Sequence, residues 1–149
     1  MMATRILIAN AFVMLLALGA PGAAPVPQQH PAYLHALSDL RDARAHLERP
    51  NGGALQQQEQ DAIAEIDRAI HEIKAASIDD GKDIKDHVPV DEHLPWGGRL
   101  HKALQLLDKA YSDVSKEEDD PAARGLKRRA QEHIHLARRH VQEAIAVVH

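Results

Sequence analysis

The sequence predicts an all-α protein, an up-down four-helix bundle built from two αα-hairpins with a longer middle connection. Three observations predict it. Apolar residues recur at three- and four-residue spacing in four separate stretches, the period of one helix face. Alternating strand-like runs are nearly absent. The second half also repeats the first. Ala36-Leu37-x-x-Leu40-x-x-Ala43 aligns with Ala103-Leu104-x-x-Leu107-x-x-Ala110, and Ile66-x-x-Ala69 with Ile134-x-x-Ala137, as expected of a duplicated helical hairpin.

The amino terminus comes first. Arg5 precedes an apolar run from Ile6 to Leu18 that ends in Gly19-Ala20-Pro21-Gly22-Ala23-Ala24, a small-residue stretch of the kind signal peptidase cuts. Residues 1–24 are therefore expected to be a signal peptide, removed on export, and the mature protein periplasmic or secreted. The run falls short of the roughly 20 apolar residues of a membrane span, so no membrane association is expected after cleavage. Residues 25–30 read as a disordered lead-in.

Pro31 at a first helical position opens the first helix, about 31–48, with Tyr33, Leu37, Leu40 and Leu47 on its stripe and Pro50-Asn51-Gly52-Gly53 closing it. The second, about 54–85, carries Ile63, Ile66, Ile70 and Ile73, and Gly81 blurs its end. A polar segment from Asp79 to Pro95 separates the halves. Leu100, Leu104, Leu107 and Val114 mark a third helix, about 99–116. Asp120 and Pro121 form an N-cap and first-turn pair for a fourth, about 121–148. About 125 mature residues make one domain, 31–149, with a single modest core.

Composition narrows the chemistry. The absence of Cys removes disulfides, thiolate ligands, a lipidation site and covalent haem attachment. Met1, Met2, Met14 and Phe12 all lie in the signal segment, so the mature chain has no thioether for a Cu(I) site or a His/Met haem. Without Arg5, 17 of the 18 Lys and Arg face 22 Asp and Glu, a formal charge of −5 that becomes +6 if all 11 histidines protonate. A weakly acidic chain with no basic block argues against nucleic acid as a partner.

The histidines are the chemical signal. Imidazole is the commonest protein metal ligand and the side chain that titrates nearest neutrality, so 11 of them in a small chain point to metal binding or a response to pH. His133 and His140 lie on the flank of the fourth helix's apolar stripe while His135 points outward. Seven residues apart, or about 10 Å along the axis, they are too far apart to share one ion. Antiparallel hairpins with tight turns are expected to bring His35, Asp67, His71, His101, His133 and His140 into one half of the bundle, the candidate metal-ligand set. The stripe His35, Asp39, Asp42, His46 is expected on the solvent side of the first helix, opposite Leu37 and Leu40. The connection adds Asp79, Asp80, Asp83, Asp86, His87, Asp91, Glu92 and His93, without the glycine spacing of an EF-hand loop.

The run Ala130-x-x-His133-x-x-x-Ala137-x-x-His140-x-x-x-Ala144 resembles the small metal-binding proteins of bacterial periplasms. Ala32-x-x-His35, Ala43-x-x-His46 and His71-x-x-x-Ala75 are partial matches, and the remaining histidines do not fit. The resemblance implies reversible binding of divalent copper and other transition ions by histidines. An enzyme is not expected. A ferritin-like di-iron site needs Glu-x-x-His on two helices, whereas Glu132-x-x-His135 has Ala64 and Asp67 at its repeat-equivalent positions. The sequence thus reads as an exported, histidine-rich metal buffer or scavenger for Cu, Ni or Zn. The alternative is a metal-free helical interaction module with pH-responsive histidines. A bis-histidine haem carrier is a third reading, disfavoured by the scarcity of aromatics.

Overall fold

The structure is a computed structural model and describes residues 31–49, 56–75, 81–91, 93–116 and 124–148. The expected signal segment and lead-in lie outside these residues, as do the expected turn Pro50-Asn51-Gly52-Gly53 and the helix start expected at Asp120 and Pro121. Four helices are present: α1 (Pro31–Leu47), α2 (Gln57–Ala75), α3 (Trp96–Lys116) and α4 (Arg124–Val148). The described residues contain no strand.

The second helix is shorter than the sequence suggests. Residues 81–85 are bends and turn rather than helix, and Gly81 sits at φ +69°, a left-handed conformation that a helix cannot continue through. At the other end, the Glu59 carboxylate accepts from the Gln56 amide at 3.0 Å, satisfying one of the unpaired N–H groups that begin a helix.

Side-chain contacts fix the direction of each helix. Lys109 donates to Asp39 at 2.9 Å and Arg99 to the His46 carbonyl at 3.1 Å, so α1 and α3 are antiparallel. Glu65 meets His133 and Glu72 meets Arg129, so α2 and α4 are antiparallel. Asp108 with Arg138, and Ser115 with Gln131, make α3 and α4 antiparallel as well. Two antiparallel hairpins and a long middle connection are therefore present, as the repeat predicts. The directions, however, run up, down, down, up. Trp96 Nε1 donates to Glu59 at 2.9 Å, which puts the starts of α2 and α3 at one end of the bundle. The connection must then return the full length of α2, about 28 Å. It does so over the face shared by α1 and α3, where the Val88 amide meets Asp42.

Each helix contributes to a single core: Leu37, Leu40 and Leu47 from α1, Ile66 and Ile73 from α2, Leu100, Leu107 and Val114 from α3, Ile134 and Val141 from α4. The closest-packed pairs are α1 with α3 and α2 with α4, not the sequential hairpin partners. Buried alanines seven residues apart recur on these helices: Ala36 and Ala43, Ala103 and Ala110, Ala62 and Ala69, and Ala130, Ala137 and Ala144. Small side chains at a helix contact allow the axes to come close. The alanines of the Ala-x-x-His-x-x-x-Ala run thus serve packing. No helix among the described residues is long and apolar enough to cross a membrane.

Candidate functional site

The position three residues after each heptad alanine sits beside a helix seam, and the chemistry collects there. On α2 these positions hold Glu65 and Glu72, and on α4 His133 and His140. His133 Nδ1 lies 2.6 Å from Glu65 Oε2, with both side chains mostly buried. An ionised carboxylate only accepts, so the ring donates from Nδ1, and the neutral form of the ring then carries its lone pair on Nε2. Arg68 pairs with the other oxygen of Glu65. One turn away, Arg129 pairs with Glu72 at 3.0 Å. That hydrogen bond holds the Glu72 carboxyl below its ordinary value against the opposing effect of burial, with smaller contributions from His133 and His71.

The other residues expected in the metal set are dispersed. His140 is half-buried, and its Nδ1 is 3.4 Å from Glu143 one turn along the same helix. His71 is exposed beside Glu72. Asp67 accepts from Arg44 Nε at 2.7 Å and is held in an α1–α2 ion pair. His35 is exposed at a shallow surface with Ser38, Asp39, Lys109 and Asp113. His101 is exposed and donates from Nδ1 to the Gly97 carbonyl at 2.7 Å. It stands at the end of the bundle where Gly97 approaches Val148, not level with His133. The expected gathering of all six in one half therefore does not occur. In an antiparallel hairpin with Asp108 opposite Arg138, the first turn of α3 meets the last turns of α4. Among the described residues no three His, Asp or Glu side chains converge to hold a metal ion. What the seam offers a cation is one oriented imidazole with its supporting carboxylate.

The first helix overturns another expectation. His35 is exposed, but Asp39 and His46 of the same stripe are buried, His46 to 6% exposure. The reason is the course of the connection, which with α3 covers the side of α1 that its own periodicity assigns to solvent. A groove of about 490 Å³ lies between α1, α3 and residues 88–91 with Leu94. His46, Asp42 and Asp39 line it from α1, Lys102, Leu106 and Lys109 from α3. His46 Nδ1 has no hydrogen-bond partner among the described residues. Burial lowers its pKa, and Lys102, Arg99 and Arg49 push the same way against Asp42, so the ring is neutral near neutrality.

Sequence reasoning missed the roles of Glu65 and His46. The signal that finds both is the alanine heptad itself, since each stands three residues after a buried alanine. Comparison of the chain with protein-family models, with curated proteins and with solved structures finds no match.

Proposed function

We propose that the protein is an exported helical bundle that takes up divalent transition ions reversibly on histidine side chains, as a buffer or scavenger in the periplasm or outside the cell. The observation that supports this reading best is the contact between Glu65 and His133. A carboxylate on one ring nitrogen orients the imidazole and raises the basicity of the other, the usual support for a metal-ligating histidine. Because no closed set of ligands is assembled among the described residues, each ion is held by one or two protein groups and completed by water. Exchange is then fast and selectivity among Cu(II), Ni(II) and Zn(II) modest.

Calorimetric titration of the mature chain with Cu(II), Ni(II) and Zn(II) tests the proposal. Binding of micromolar strength is expected near neutral pH, weakening below about pH 6 as protons compete for imidazole. Replacing His133 and His140 with Gln should remove the tightest event while helicity is kept. Unchanged binding in that double variant would overturn the assignment. The second reading, a metal-free interaction module whose histidines respond to pH, draws support from the buried, neutral His46 beneath the connection.

A further inference from the structure

Residues 86–91 of the connection run without regular structure over the side of α1 that carries Asp39, Asp42 and His46, and all of them except Val90 are exposed. They are held at their flanks. Ile84 packs against the core on one side, and Leu94 leads into α3 on the other. Between those points the bond from the Val88 amide to the Asp42 carboxylate, a long 3.3 Å, is what ties the segment to a helix among the described residues.

Asp42 also stands one turn before His46 on α1, close enough to pair with it, and His46 is buried to 6% exposure. Among the charges that act on this ring only Asp42 is negative; Lys102 and Arg99 of α3 and Arg49 beyond the end of α1 are cations. The neighbouring acids are otherwise engaged. Asp39 is held by Lys109, Asp91 of the connection accepts the His93 amide, and Glu59 at the start of α2 accepts from Trp96 and Gln56. A buried imidazolium beside three cations needs a counter-charge or water. The one carboxylate that can turn to it is the tie of the connection.

We propose that residues 86–91 form an acid-released strap: when His46 takes up a proton, Asp42 turns to the ring, the Val88 amide loses its acceptor, and the strap lifts between Ile84 and Leu94. Lifting admits water to the imidazolium and uncovers Leu106, which lines the groove beneath. The groove is thus closed near neutral pH and open in acid. The strap owes nothing to metal binding and rests on the pH-responsive reading, to which it adds a moving part.

The chain has no cysteine, so Val88→Cys on the exposed strap and Gln105→Cys on the exposed face of α3 take spin labels at two defined points. Double electron resonance on the full mature chain in metal-free buffer reads their separation. One short distance is expected at about pH 7.5 and a second, longer one at about pH 5, below the free imidazole value near 6.5. Helicity measured alongside should not change. His46→Phe, which takes up no proton, should keep the short distance at both pH values. Asp42→Asn, at a half-buried position that does not threaten folding, should do the same, because its amide still accepts from Val88 but brings no charge to the ring. A distance distribution that does not move in acid overturns the proposal, as does a longer distance that persists in either variant. If the His46 ring titrates by NMR while the labels stay together, the strap falls and the pH-responsive reading survives.

Discussion

Arg99, at the start of α3, donates from its guanidinium to the backbone carbonyl of His46 at the end of α1, 3.1 Å away. It also reaches the Arg49 carbonyl, and the cation thus sits at the negative end of the α1 dipole. Glu59, at the start of α2, favours the charged form of Arg99 and accepts from Trp96. One buried guanidinium thus ties the start of α3 to the end of α1, while Trp96 ties it to the start of α2. Replacing Arg99 with Met should leave those carbonyls without their donor and lower stability by about 2 kcal/mol, read as a shift in the urea midpoint at constant slope. Arg99→Lys should recover less than half, because an ammonium cannot serve two carbonyls with a planar fork. A loss below about 0.5 kcal/mol in the Met variant would show that the contact carries no stability.

Acid should destabilise the fold in two stages. The folded pKa of His46 lies below its unfolded value near 6.5, so the unfolded chain takes up the proton first. Stability is then full above about pH 6.5 and falls as the pH drops toward the folded value. Glu72, whose pKa is lowered by Arg129, contributes stability above about pH 4.5 that is lost on further acidification. In urea titrations across pH, His46→Leu should remove the first stage and keep the second. A first stage that persists in His46→Leu assigns it to another histidine.

The four helices and the two hairpins were legible in the sequence because local periodicity and the internal repeat determine them. The direction of the second hairpin was not, because it depends on whether the Asp79–Pro95 segment turns back at once or runs the length of the bundle, and no local pattern in that polar stretch decides this. The burial missed on α1 follows from that choice. The side of α1 opposite Leu37 is solvent in an alternating bundle, but here it is roofed by residues 88–91 and Leu94, which buries His46 and Asp39. His101 was misplaced for a different reason. Its expected height rests on a tight turn between α3 and α4, whereas the register with Asp108 opposite Arg138 sets it against the carboxyl end of α4. The flank positions of His133 and His140 were correctly read, since they follow from one helix's geometry alone.

Gly81 should prove sensitive to substitution for backbone reasons only. At φ +69° it occupies the left-handed region, and a Cβ built there meets nothing within 4 Å. Gly81→Ala is expected to cost about 1 kcal/mol in urea denaturation, whereas Gly81→Asn, a residue that tolerates this conformation, should cost a few tenths. Equal costs for Ala and Asn would point to a contact rather than to the dihedral angle.

The two carboxylates of α2 should separate cleanly in metal titrations. Glu65 holds the His133 ring in the tautomer that leaves Nε2 free, so Glu65→Gln should lower the affinity of the tightest Cu(II) or Ni(II) event by about 10- to 100-fold, the range for losing the partner of a metal-ligating histidine. Asp67 is occupied by Arg44 of α1 at 2.7 Å. Asp67→Asn should leave metal affinity unchanged while lowering stability by about 0.5–1 kcal/mol through loss of a half-exposed ion pair. Calorimetry on both variants, with urea denaturation alongside, measures both quantities. If Asp67→Asn weakens metal binding as much as Glu65→Gln does, the ion is held by the general negative charge of α2 and not by an oriented imidazole, and the histidine assignment falls.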